Sequence, residues 1–407
     1  MQLSRQTLTR NTIWAVFAVV SLSAFDNAVV HIFWLLSAVW AMVYLAMGRL
    51  RPQFDGAIRV FVMAGLLYFL VNALYFGLHF GTYFPQPNGE IGQLLKLVVF
   101  VLPVFVAARL AVVPREALLR TVWRASAIWG LVTLPLAAYQ SLIIGARADA
   151  GIGNAIPFAL MGAIFSVLSL LCLLEDNRRW RYLGTAGFAA GLLCVMFSQT
   201  KSMMLVPLIG PVIFAASFFR GRQRLELLLV MLLLTMVVAG LGFSISGSVN
   251  RFQDVVAVAS GDPAAQLGQS YSERFNMWSA ALHGIGEAPM SGHGFQNRRH
   301  FIGLLGYNYN HWHNGFLIAA FDNGIPGLLI MSFLLVSPLL IALRAVRDSL
   351  YGPRLFFAFA LVFAYAFGGL FNQIYGHGVY DALFVWLGTI IAVSATPEVT
   401  ENVDRPT

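Results

Sequence analysis

Charge is what this sequence has least of. Only 11% of its 407 residues are charged, against about 25% in a soluble domain. Hydrophobic residues make up 58%, and the mean hydropathy is +0.74. An ordinary soluble enzyme is excluded and an integral membrane protein is implied. Cysteine is almost missing too. Cys172 and Cys194 both lie in apolar stretches and form neither a disulfide framework nor a metal-binding spacing. The sequence has no Walker loop, haem-ligand pair or zinc spacing, and no Asp-x-Asp pair to hold a metal-bound nucleotide sugar. No metal and no cofactor are therefore expected. Strict alternation of apolar and polar residues is lacking, which argues against a β-barrel. Internal repeats, low-complexity tracts and a second soluble domain are not evident, and the first apolar stretch is expected to stay as a signal anchor. The net charge of +8 does not point to nucleic acid, because most of the excess lies in short loops such as Arg178-Arg179-Trp180-Arg181 and Arg220-Gly221-Arg222-Gln223-Arg224. There it reads as a topology signal that also meets anionic membrane lipids.

What the sequence has in quantity is apolar runs of bilayer length. Backbone groups in lipid must be satisfied within the segment, so the runs are expected to be helices. Residues 1–407 read as one all-α, polytopic membrane domain of about twelve transmembrane helices, at roughly 12–25, 28–47, 57–78, 92–113, 122–144, 154–174, 182–199, 202–219, 225–245, 325–343, 354–371 and 378–395. With both termini placed in the cytoplasm, 19 of the 26 Lys and Arg fall on the inner side. The outer side holds only Lys96, Arg147, Lys201, Arg251, Arg274, Arg298 and Arg299. Shifting the count by one span scrambles this segregation. The positive-inside bias keeps cations out of outer loops, so these seven ask for a reason, and an anionic substrate supplies one.

One outer connection dwarfs the rest: a periplasmic-side loop at about 246–324, between spans 9 and 10. Within it Ser270 to His283 is expected to be a short helix with Ser272 as its cap, and Pro289 to Gly294 a turn. His313 to Asn323 places Phe316, Leu317, Ala320 and Phe321 at helical spacing. Gly324-Ile325-Pro326-Gly327 then ends that helix and starts the next span. His313, where a helix begins beside Asn314, is the candidate general base, since imidazole titrates near neutrality and the helix N-terminus favours its neutral form; His311 is the alternative. The plain reading is an interfacial histidine bonded to a loop carbonyl. His283, His293 and His300 read as loop surface. Arg274 lies four residues before Trp278, so the two share a helix face. Its fork suits phosphate, unless it merely pairs with Glu273 or Glu287. Arg298 and Arg299 extend a basic wall or are simply solvated. Lys201, in the polar run Ser198-Gln199-Thr200-Lys201-Ser202, and Arg147, before Gly151-Ile152-Gly153-Asn154, are further candidates for the anion.

The ordered set Arg274…Trp278…Pro289…Gly292-His293-Gly294…His313-Asn314…Gly324-Ile325-Pro326-Gly327 resembles the bacterial O-antigen ligase and O-antigen polymerase superfamily. Gly153-Asn154-Ala155-Ile156-Pro157 is similar to that family's Gly-Asn turn. Lys201 stands where the family usually has arginine, keeping charge but losing bidentate geometry. The resemblance implies a helical inner-membrane glycosyltransferase with its active site under a periplasmic loop. It also implies a glycan donor carried on undecaprenyl pyrophosphate. The acceptor would be a hydroxyl of lipid A–core in a ligase, or of a second lipid-linked glycan in a polymerase of O-antigen or exopolysaccharide. In this reading His313 takes the acceptor proton, and Arg274, Lys201 and Arg147 hold the pyrophosphate. Asn314, Arg298, Arg299, His311 and Trp278 contact substrate, and the anomeric centre inverts without a metal. A twelve-span transporter is the remaining alternative, although transporters place their ion sites near mid-membrane.

Overall fold

A chain this apolar can satisfy its backbone in lipid only through helices, and among the described residues every regular element is helical. The computed structural model describes residues 5–50, 55–80, 87–246, 269–295 and 297–396. The helices are α1 (Arg5–Leu22), α2 (Asn27–Ala46), α3 (Gly56–Leu78), α4 (Pro87–Lys96), α5 (Pro103–Leu110), α6 (Arg115–Ala138), α7 (Ala155–Ser169), α8 (Arg178–Phe197), α9 (Lys201–Phe218), α10 (Gly221–Ser246), α11 (Gln269–Glu287), α12 (Arg298–Leu304), α13 (Gly315–Arg344), α14 (Tyr351–Gly369) and α15 (Gly378–Ala395). Short polar side chains start several of them. Asp26, Asn154, Asn177 and Asn314 each accept a hydrogen bond from a first-turn N–H, satisfying donors that have no partner inside the helix.

Among the described residues nine helical segments are long and apolar enough to cross a membrane. They coincide with nine of the twelve expected spans. The other three differ. The first lies in α1, whose N-terminal half is polar. The ninth lies in α10, 26 residues long, with Arg222, Arg224 and Glu226 in its opening turns. The fourth, 92–113, is not one helix. α4 gives way to a 3-10 turn, Leu97–Phe100, and then to α5. Pro103 at the start of α5 has no N–H for a continuous ladder and clashes with the turn before it, so the run breaks there.

Small residues let the central helices meet. A side chain on Gly130 of α6 would come 2.6 Å from the carbonyl oxygen of Gly187 on α8, and one on Gly191 would come 2.7 Å from Ser166 of α7. Such close approach is how apolar helices pack where no hydrophobic force separates helix from lipid. α7 and α15 are buried on nearly every side.

One end of the bundle collects the loops that matter. Gly151 N–H donates to Ala24 O (2.9 Å), Ala148 N–H to Phe197 O (3.0 Å) and the Tyr75 hydroxyl to Met290 O (2.7 Å). Over this end α11, α12 and the first part of α13 build a second, smaller apolar core around Met277, Ala281, Ile302, Trp312, Ile318 and Phe321. α11 starts earlier than the sequence suggested and runs further, to Glu287. Ser272 is therefore inside the helix and not its cap. Arg251 and the rest of 247–268 lie outside the described residues.

Candidate functional site

Two glycine-bearing segments, far apart in sequence, form one unit. α13 is interrupted at Asn323 and Gly324 (φ +64°), so Gly315 to Asp322 is a half-helix set against the longer span that follows. The Pro289–Gly294 turn packs on this break: Ile325 N–H donates to Pro289 O (2.7 Å), His293 N–H to Phe321 O (2.8 Å) and Gly294 N–H to Asp322 O (2.9 Å). A side chain on Gly324 would come 2.7 Å from Met290 O, and one on Gly292 (φ +57°) 2.5 Å from Asp322 O. Only glycine fits both the positive φ and the approach. His293, expected at the loop surface, is instead buried in this joint. Its ring lies 4.4 Å from that of Phe321, and Nε2 is 2.8 Å from Gly284 O. His283 is exposed, as expected of a loop-surface group.

Polar groups are buried just beneath. Asp322, at the end of the half-helix, forms an ion pair with Arg298, whose Nε also donates to Asn310 O (3.2 Å). Both partners are almost fully buried. Asn323 donates to Asn72 of α3 (2.9 Å). A cavity of ≈ 20 Å³, bounded in part by Tyr68, Asn72, Arg298, Asp322 and Tyr375, has room for about one water. Arg298 thus faces a carboxylate within the protein. Arg299, its neighbour, is exposed.

His313 precedes α13. Asn314 caps that helix, accepting from Phe316 N–H (3.0 Å) and Leu317 N–H (3.1 Å), so its side-chain oxygen is engaged within the chain. His313 has φ +52°, a conformation that costs a non-glycine residue about 1–3 kcal/mol and is found at sites the surroundings over-determine. Trp312 supplies that constraint. Its ring is buried against Phe321 at 5.0 Å, and its carbonyl accepts from Trp278 Nε1 at 2.8 Å. With Trp312 turned inward, His311 and His313 lie together, ring centroids 4.3 Å apart, and Tyr309 stands 5.1 Å from His313.

The Trp278 bond also carries Arg274 to the histidines, since the two residues share a face of α11. Its charge acts on both imidazoles. Neither expected ion pair forms among the described residues: Glu273 accepts from the Tyr309 hydroxyl (2.8 Å) and Glu287 faces His283 (3.3 Å). Burial holds His313 down at about 3, helped by His311 and Arg274. Burial likewise holds His311 at about 4, with Asn372 opposing and Arg298, Arg274 and His377 adding to it. Both rings are therefore neutral at pH 7. The dominant cause is burial, not the helix terminus on which the sequence reading relied. His313 Nδ1 is buried without a hydrogen-bond partner.

Arg147 and Lys201 belong to a neighbouring turn at the same end. Arg147 donates to Ser198 O (3.0 Å) and to the Thr200 hydroxyl (3.0 Å), bracing the segment from which Lys201 starts α9. Ala150 (φ +52°) and Gln199 (φ +53°) lie in the same pair of turns, so each non-glycine residue with positive φ among the described ones is at this end.

Sequence reasoning missed the connection between α14 and α15. Asn372 there lies 2.8 Å from His311 Nε2, and His377 acts electrostatically on His311. The available signal was the run Asn372-Gln373-Ile374-Tyr375-Gly376-His377-Gly378, polar and glycine-bearing between two apolar spans.

Residues 186–332 match the family model described as O-Antigen ligase. The match begins within α8 and ends beyond the break in α13, so it takes in Lys201, Arg274, the Pro289–Gly294 turn, His313 and Gly324-Ile325-Pro326-Gly327. Over that segment the resemblance to the O-antigen ligase and polymerase superfamily holds. No curated protein matches the chain.

Proposed function

On the premise of that family domain in a multi-pass membrane protein, we propose that the chain is an O-antigen ligase. It transfers a glycan from undecaprenyl pyrophosphate to a hydroxyl of lipid A–core, at the periplasmic face of the bacterial inner membrane. The observation that supports this reading is the His311–His313 pair, within reach of the Arg274 charge, inside the matched segment and at one end of the bundle. Both termini then lie in the cytoplasm, and the chain crosses about twelve times.

The chemistry follows from the residues. Neutral His313 accepts the proton of the acceptor hydroxyl as its oxygen forms a bond to the anomeric carbon. The bond from that carbon to the diphosphate oxygen breaks, its electron pair leaves with the phosphate, and the configuration inverts. Arg274, with Lys201, meets the charge that develops on the leaving group; Arg147 braces the turn carrying Lys201. A base held at about 3 is weak. A bound diphosphate adds negative charge beside the ring and raises its proton affinity toward the working range. No nucleotide is needed, because the diphosphate already activates the sugar.

Deletion of the coding sequence followed by lipopolysaccharide gel analysis tests the assignment. A ligase leaves lipid A–core uncapped while lipid-linked polymer accumulates. Capping by single repeats would instead assign a polymerase, and intact lipopolysaccharide with loss of a secreted polymer an exopolysaccharide enzyme.

A further inference from the structure

Asn372 lies outside the family-matched segment, on the connection between α14 and α15. We propose that Asn372 is a positioning residue that fixes the tautomer of His311, with the proton on Nε2 and the lone pair on Nδ1. Its side-chain oxygen is 2.8 Å from His311 Nε2, and its Nδ2 donates to the Tyr380 hydroxyl at 3.4 Å. An amide oxygen only accepts, so the ring nitrogen facing it must be the donor. A neutral imidazole has one N–H, which leaves Nδ1 as the acceptor.

The amide is held in place by the loop around it. Asn372 and Tyr380 are both buried. The Tyr365 hydroxyl donates to Tyr380 O at 2.6 Å. Gly376 N–H donates to both carboxylate oxygens of fully buried Asp381, at 2.9 and 3.2 Å, fastening the loop to the first turns of α15. With its oxygen toward His311 Nε2 and its Nδ2 toward the Tyr380 hydroxyl, both ends of the buried amide have a partner. His311 is faced by Arg274 from α11, Arg298 from α12, His377 from the loop and the His313 ring, and with burial these keep it neutral at pH 7. The fixed tautomer gives His311, whose ring lies 4.3 Å from that of His313, one defined acceptor nitrogen. The kinetic consequence rests on the glycan-transfer reading; the tautomer does not.

The test is nitrogen NMR of the full-length, 15N-histidine-labelled protein in lipid nanodiscs, with His311 identified by its loss in His311→Gln. At pH 7 the expected signal is a protonated Nε2 and an unprotonated Nδ1. Asn372→Leu should release His311 into a mixture of tautomers and lower kcat by at least about 10-fold, with the donor KM unchanged. Asn372→Asp, nearly the same shape, guards against a folding defect. It should keep the tautomer and move the acid limb of the pH–rate profile upward, because a carboxylate favours the imidazolium. A protonated Nδ1 or a mixture in the unaltered protein overturns the inference, as does an Asn372→Leu variant that retains both tautomer and kcat. If the expected tautomer is seen in a protein that transfers no glycan, the functional reading fails alone. If glycan is transferred with the other tautomer, only this inference fails.

Discussion

The two ends of the helix bundle treat their cations differently. Away from the site several arginines face carboxylates, although Arg109 donates to the Ser37 hydroxyl (2.8 Å) beside the Trp40 ring and Arg181 to the Glu175 carbonyl. Arg124 forms a two-pronged pair with Glu175, which also accepts from Trp123 Nε1 at 2.8 Å; Arg354 and Arg115 lie 3.3 and 3.8 Å from Asp348; Arg120 and Arg222 pair with Glu116 and Glu226. At the site end Arg274 is set among uncharged histidines, and Arg147 holds a carbonyl and a hydroxyl. Arg298, paired with Asp322, is the exception. Cations answered by carboxylates inside the fold serve the fold. A part-buried cation beside neutral rings keeps its charge available to an anion from outside, and an anionic lipid diphosphate is the proposed partner.

The comparison can be broken at its strongest point first. His313→Ala should abolish glycan transfer in a reconstituted assay, a loss of about 10²–10⁴-fold, with protein abundance and helicity unchanged. Normal turnover by that variant removes His313 as the base. Arg274→Ala should lower transfer by about 10²–10³-fold. Arg274→Lys should rescue it only in part, since an ammonium cannot bind two oxygens in a fork; identical kinetics with a pyrophosphate-linked donor would place Arg274 outside the site. The opposite end should respond in stability alone. Arg124→Ala leaves Glu175, 4% exposed, without its cation, at a cost of about 3–5 kcal/mol. That should appear as a lower melting temperature in detergent, while turnover per folded molecule stays put. Loss of turnover at full stability would erase the contrast between the ends.

The smallest effect is in pH. His311 and His313 sit at about 4 and about 3, below the ordinary 6.5. As pH falls below 6.5 the unfolded chain takes up protons at these rings that the folded chain refuses, so stability rises with pH across this window. It is complete above 6.5 and is lost progressively down to about 4 and 3. The His311→Gln/His313→Gln double variant should show a flatter melting temperature between pH 7 and 4. An unaltered slope would mean that burial does not hold these rings neutral.

Much of this was legible in the sequence because apolar length and turn chemistry are local. Nine spans and the break at Gly324 follow from apolar length, periodicity and the special backbone freedom of glycine. The break in the expected fourth span was less visible, because Leu97 to Val106 is apolar throughout and only Pro103 marks the change. His293 was misread although, like His313, it stands beside a turn. Sequence shows the turn but not what packs on it. Asn372 and His377 went unnoticed because they stand about sixty residues after the histidines they serve, beyond any local pattern.

By itself, then, the sequence determined that this protein is a bundle of apolar helices of membrane-spanning length, and that the arginine, histidine and glycine motifs follow one another in order before the span that begins at Gly324-Ile325-Pro326-Gly327. Those properties depend on hydrophobic transfer and backbone geometry, which act residue by residue. The tertiary structure alone decided which motifs touch. Packing turned Trp312 inward and the two histidines together, brought Arg274 to them through Trp278, and assigned Arg298 to Asp322 and Asn372 to His311. Such pairings arise where helices distant in sequence meet, and burial there sets the charge state of the rings.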